Sequence, residues 1–173
     1  MNELPELLKY TLPALLVLLA SVITLTILFR NEQKRRKADI LDGYKDATLP
    51  LRLQAYERMV LFLERISPES LVMRVARTDV TSVQMQSELI SAVRTEYEHN
   101  LAQQVYLSNR SWELIKAARN NVIKLINDSA SELKPGASGI SLNKMLLEKA
   151  MELKTSPVEA AVEYLKKEAR ELF

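Results

Sequence analysis

Apolar residues fall into two kinds of run along this chain. From Tyr10 to Phe29 they are almost continuous, and YTLPALLVLLASVITLTILF holds no charged residue. As a helix, twenty such positions reach about 30 Å, the thickness of a bilayer's hydrocarbon core. Beyond residue 50 the apolar positions recur every third or fourth residue, the period of a helix with one buried face.

The second pattern predicts a series of helices. Leu53, Tyr56, Val60 and Leu63 place a helix over 51–66, with Leu51, Leu61 and Phe62 widening its apolar side. Asp42-Gly43 and Thr48-Leu49-Pro50 mark a break before it. Ser67-Pro68-Glu69 is a helix start, because Ser can cap, Pro is preorganised at the first position and Glu suits the positive helix end. A longer helix is predicted over about 80–107, capped by Thr78-Asp79, with Val83, Leu89, Ile90, Val93, Tyr97, Leu101 and Val105 apolar. Another runs from Trp112 to about Leu133. The short Ser108–Ser111 interruption points to an antiparallel hairpin, with one bent or continuous helix as the alternative. Lys134-Pro135-Gly136-Ala137-Ser138-Gly139 reads as a loop. Two short helices follow, 141–153 and a last one opened by the capping-box pattern Ser156-Pro157-Val158-Glu159.

The expected organisation is all-α: an N-terminal transmembrane helix followed by a small helical bundle with a long helical hairpin. Its parts are a short extracytoplasmic N-terminus (1–9), the span (10–29), a basic juxtamembrane segment (30–48), a bundle core (49–134), a flexible loop (135–140) and a C-terminal helical pair (141–173).

Charge adds an orientation. Arg30, Lys34, Arg35, Arg36 and Lys37 follow the apolar run, whereas Lys9 alone precedes it. The positive-inside rule then puts the N-terminus outside and the body in the cytoplasm, as a single-pass protein of the inner membrane. The same five residues are candidate membrane-interface groups, able to hold anionic headgroups. A cleaved signal peptide fits poorly, since Glu3 and Glu6 occupy the region that should be basic and the apolar run is long. From Ala38 onward 18 Lys/Arg face 19 Asp/Glu, so the body is nearly neutral. With Glu57, Glu64 and Glu69 interleaved among its arginines and no stacking aromatics between them, nucleic acid is not an expected partner.

Composition narrows the chemistry. Three glycines and 6% aromatics suit helices better than turn-rich β structure. The absence of cysteine excludes disulfides, thiolate zinc sites and a Cys nucleophile. Five methionines, at 59, 73, 85, 145 and 151, fall in helical segments and are expected to fill core gaps.

The stretch LPLRLQAYERMVLFLERISPESLVMRV (49–75) and the segment EYEHNLAQQVYLSNRSWELIKAARNNVIKLIN (96–127) resemble a family of uncharacterised, membrane-anchored helical proteins from Bacteroidota. The resemblance implies lineage and topology and carries no catalytic residue across.

One candidate constellation stands out. Glu96 and His99, the only histidine, form an E-x-x-H pair that shares a helix face, as in di-iron carboxylate bundles. A complete site needs a second such motif, which only a dimer would supply. His99 also projects about 200° from Tyr97 on the apolar stripe, toward solvent or a partner. No nucleophile elbow surrounds a serine, and the 135–139 loop lacks the Lys-Ser/Thr ending of a phosphate loop. No catalytic residue, cofactor or small-molecule substrate is therefore expected. The leading reading is a non-enzymatic structural or interaction module that meets the lipid bilayer and a protein partner or a second copy of itself. The alternatives are a metal-dependent enzyme at a dimer interface around Glu96 and His99, and an anionic-lipid-sensing regulator.

Overall fold

A computed structural model describes the backbone of residues 3–153 and 155–172; before residue 48 it describes the side chains of 15–19, 21–30, 32 and 33 only. The chain divides into two compact units, Met1–Thr48 and Leu49–Phe173. Helix α1 (Glu3–Ile66) enters both. It continues through Asp42-Gly43 and Thr48-Leu49-Pro50, where the sequence pointed to a break. Pro50 lacks the amide that would close a helix hydrogen bond, and the division between the units falls beside it.

In the first unit the described apolar side chains run from Leu15 to Phe29. Leu15, Leu18, Val22, Leu25 and Phe29 are each at least half exposed. The hydroxyls between them turn inward: Ser21 Oγ donates to the Val17 carbonyl at 2.8 Å, and Thr26 Oγ1 to those of Val22 and Ile23, both at 2.8 Å. Such back-bonding satisfies a hydroxyl on its own helix and leaves the outer surface apolar.

The expectation of a membrane span is corrected at this point. Among the described residues no helix is long and apolar enough to cross a membrane. Ser21, Thr24 and Thr26 dilute the apolar positions between Leu15 and Phe29. The transmembrane helix, the single-pass inner-membrane placement and the outward N-terminus built on the span fall with it. The side chains of Tyr10–Ala14, and of Lys34, Arg35, Arg36 and Lys37 in the basic run, lie outside the described residues.

The second unit is a helical bundle. It holds the end of α1, α2 (Pro68–Val75), α3 (Ser82–Asn100), α4 (Asn109–Ser131), α5 (Gly139–Glu152) and α6 (Pro157–Arg170). Phe62, Met59, Leu63 and Ile66 of α1 join Leu71 of α2, Leu89 and Val93 of α3, Ile115 and Ile126 of α4, Leu146 of α5 and Leu165 of α6 in one core. Every helix presents one apolar stripe to that core, which is the arrangement a 3.6-residue period permits.

Serine and threonine start most of these helices. Thr81 and Gln84 form a reciprocal capping box on α3, three residues later than Thr78-Asp79 predicted. Ser108, Ser138 and Ser156 each accept a backbone amide from the first turn of α4, α5 and α6. Ser67 instead donates its hydroxyl back to the Glu64 carbonyl at 2.9 Å, leaving Pro68 to open α2.

α3 and α4 form an antiparallel hairpin. Tyr97, near the end of α3, stacks on Trp112, near the start of α4, with centroids 5.6 Å apart. At the far end Gln86 Nε2 of α3 donates to Asn127 Oδ1 of α4 at 2.8 Å. The helix predicted to reach residue 107 stops at Asn100, and a 3₁₀ segment (Leu101–Tyr106) completes the connection. Its three-residue period rotates Leu101 and Val105 off the buried stripe into solvent. Val83 is exposed because it lies about 200° from Met85, which begins that stripe.

The loop after α4 is held in place. Pro135 and Gly136, whose φ is +81°, form a turn closed by Ala137 N donating to Lys134 O at 3.1 Å. Ser82 N then donates to Ala137 O at 2.8 Å, and Gly139 N to Val80 O at 2.9 Å. This close approach requires glycine at 139, where a Cβ would sit 3.0 Å from Val80 Cγ2 and 3.2 Å from Met85 Cβ. Two methionines expected to fill the core do not: Met73 is 86% and Met151 82% exposed. Each follows the last core residue of a short helix and faces away from it.

Candidate functional site

The sequence singled out Glu96 and His99, and the fold gives each different company. Both lie on α3 beside an open groove of about 610 Å³ whose far wall is Arg65 of α1 and Arg74 of α2. The Glu96 carboxylate is drawn to that wall, 3.2 Å from Arg65 Nε and 4.0 Å from an Arg74 guanidinium nitrogen. Arg74 also donates to the Arg65 carbonyl at 3.3 Å, so one carboxylate ties the end of α1, α2 and α3 together. Only 15% of the Glu96 side chain is exposed, which shields the pair from solvent more than a surface ion pair. His99 is exposed on the same helix. Among the described residues no three His, Cys, Asp or Glu side chains come close enough to hold a metal ion. The chemistry this groove displays is an interhelical clamp, with Ser87, Ser91 and Thr95 leaving the α3 face shallow.

Sequence reasoning missed a second polar cluster. Tyr56 is 2% exposed, and its hydroxyl reaches no hydrogen-bond partner among the described residues. It lies against Arg52 and Glu168 without bonding geometry to either. Burial pushes its pKa above 10.0, and the Glu168 carboxylate adds to the rise while Arg52 opposes it. Glu168 of α6 accepts a hydrogen bond from the buried Ser111 hydroxyl of α4. Arg52 Nε donates to the Tyr106 carbonyl at 3.4 Å, holding the 3₁₀ segment to α1. Tyr56 was legible only as an apolar position on a helix; Arg52 lies one turn before it, but Glu168 is brought to it from more than 100 positions away. The cluster joins four elements and faces no described cavity.

Between these clusters runs an aromatic column. Tyr97 lies between Phe62, at 5.9 Å, and Trp112, and the Arg119 guanidinium covers its ring at 4.1 Å. A cation over an aromatic face is an attractive electrostatic contact. Here it packs at the connected end of the hairpin, beside the 3₁₀ segment. On the surface, Arg77 bridges Asp79 at 3.1 Å and Glu88 at 3.4 Å, which holds the Asp79 carboxyl below its usual range.

The candidate interface residues divide. Arg30 is exposed on α1, whereas Lys34, Arg35, Arg36 and Lys37 belong to the residues whose side chains are not described. The structure therefore brings Glu96 together with two arginines, which tie α1, α2 and α3 at one joint.

No curated protein and no solved structure matches this chain. A family model does; it agrees with the expectation of an uncharacterised family, and the match says nothing of Bacteroidota or of membrane anchoring. Matching over residues 2–172, it shows that the chain belongs to the family of unknown function DUF7935.

Proposed function

We propose that this chain is a helical interaction module, whose bundle is held to a protein assembly by the apolar segment 15–29, with a second copy of the chain as the partner. The observation that carries this reading is the exposure of that segment. Five consecutive residues, Leu15–Leu19, are all half or more exposed. At about 100° per residue they sweep the whole circumference of the helix. A helix apolar on every side has to be covered on every side, and an exposed apolar surface of this kind marks an interaction site.

The bundle supports the reading by contrast. Its helices gather their buried apolar residues into one core within the chain. Cover for residues 15–29 then comes from outside the described residues, and the same segment of further copies is apolar on all faces too. Small side chains at Ser21 and Thr24 favour close approach of such helices.

Crosslinking and mass photometry of the full chain in mild detergent test the proposal. Multiples of the 19.7 kDa chain mass, with crosslinks inside 15–29, are the expected result. A strict monomer whose apolar segment is held by detergent or lipid alone overturns it.

A further inference from the structure

A second surface of the 49–173 unit has chemistry that neither the core nor the joints use. A cleft of about 620 Å³ opens between the α1–α2 junction, α4 and the connection from α5 to α6. This volume lies within the range of pockets that enclose a ligand group. Its walls are apolar in places: Leu125 and Val162 line it, and Met151 and Leu153 stand at it with 82% and 46% of their surface exposed. Methionine is unbranched and polarizable, and it adapts to side chains of different shape.

Among the described residues, charge around the cleft is one-sided. Glu64, Glu69, Asp128, Glu159 and Glu163 line it, against Lys124 and Lys166. Lys166 is already engaged 3.6 Å from Glu163. Two of the carboxylates have a local reason to be there, since Glu69 and Glu159 occupy the first turns of α2 and α6, where the helix dipole favours an anion. Glu64, Asp128 and Glu163 have no such role. The body as a whole is nearly neutral, so this excess is local.

We infer that the cleft takes a short segment of a partner protein in which apolar side chains are flanked by lysine or arginine. The apolar residues would pack on Met151, Leu153 and Leu125, and the cations would face the carboxylate rim. Complementary charge of this kind steers association and selects against acidic partners. The inference deepens the interaction-module reading and rests on it, but it concerns a different surface from 15–29.

The absence of cysteine makes the test direct. Glu152→Cys in the full chain gives one attachment point for an environment-sensitive fluorophore, at an exposed side chain beside the cleft and outside its lining. The probe is the synthetic peptide KKLLKK, with EELLEE as its charge-reversed control. A saturable emission shift with KKLLKK and none with EELLEE is expected. Affinity should fall at least tenfold in a chain also carrying Glu64→Gln and Asp128→Asn, with unchanged helical circular dichroism. Raising salt on the otherwise unaltered chain should weaken binding as well, since screening acts on an exposed rim; this reading does not depend on the neutralised variant folding. The same dye at Val83→Cys should stay silent.

An absent or non-saturable shift overturns the inference, as do equal responses to the two peptides or insensitivity to both salt and neutralisation. A shift that grows with chain concentration before any peptide is added also overturns it, because the occupant is then a second copy. Mass photometry on the same samples separates the two readings. A chain that assembles but ignores KKLLKK sinks the cleft alone, and a monomer that binds the peptide sinks assembly through 15–29 alone.

Discussion

The two stretches of α1, residues 15–29 and 49–66, are built from similar apolar side chains and meet opposite fates. In the later stretch Met59, Phe62, Leu63 and Ile66 are fully buried, while Glu57, Arg58 and Glu64 face out. In the earlier one every described apolar side chain is half or more exposed. The difference lies in how many faces are apolar. One apolar stripe can be covered by helices of the same chain, whereas a full apolar circumference exceeds what a bundle of this size can wrap. Hydrophobicity alone therefore does not say where a helix is buried; its angular distribution does.

The sharpest way to break this comparison is to charge the earlier stretch. Leu18→Lys with Ile23→Lys should abolish assembly outright, read by mass photometry, while the unfolding free energy of the bundle, read by urea denaturation, stays within about 0.5 kcal/mol of the parent. Loss of bundle stability together with assembly would mean that the two regions are not separable. In the later stretch, Phe62→Ala should cost about 3–5 kcal/mol of bundle stability by urea unfolding, because it removes a fully buried ring that touches Tyr97. Assembly through 15–29 should survive below the new midpoint.

Smaller effects sharpen the picture within the bundle. Gly139→Ala should cost about 1–3 kcal/mol, since its Cβ would meet the Val80 carbonyl at 3.2 Å as well as two side chains. Glu96→Gln should cost about 1 kcal/mol by releasing Arg65 and Arg74, and a metal-binding assay on the parent tests the E-x-x-H reading in the same preparation. Tyr56→Phe should be neutral or stabilising by up to about 1 kcal/mol, because it deletes a buried hydroxyl without a bonded partner.

The tyrosine also has a pH signature. Its pKa is raised in the folded state, so the unfolded chain ionises first as pH climbs past 10.0. Its contribution to stability is intact below that value and falls above it. Tyr56→Phe should flatten the alkaline decline relative to the parent. An identical decline in both proteins would show that other groups cause it.

Much of the bundle was legible in the residues. The buried stripes of α4 and α6 follow the apolar spacing read from the chain: Ile115, Ala118, Val122 and Ile126, then Val158, Ala161, Val162 and Leu165. Ser156 marks a helix start as its capping pattern predicts, whereas Ser108, read as part of an interruption, caps α4, which begins three residues before the predicted start at Trp112. The failures have common causes. Pro50 did not end α1, because one missing amide is a smaller penalty than losing a long helix. Leu101 and Val105 were misplaced because a change from α to 3₁₀ geometry leaves no mark in composition. The membrane span rested on the length of an uncharged run, and among the described residues no helix is long and apolar enough to cross a membrane.

The candidate site shows the same division. Glu96 and His99 were visible as a pair by their spacing, yet the groups that capture Glu96 come from α1 and α2, some 20–30 positions earlier. The environment of Tyr56 depends on Glu168 and Ser111, which only the packing of α4 and α6 brings near.

What the amino-acid order determined by itself is the set of helices, their caps and the face each turns inward, since these depend on residues within a turn or two of one another. What the tertiary structure decided is which helices meet, and hence that α3 and α4 fold back on each other, that Glu96 serves two arginines, and that an acidic cleft opens beside Met151. Those outcomes depend on residues far apart in the chain, whose proximity is set by the joint packing of all the helices in the core.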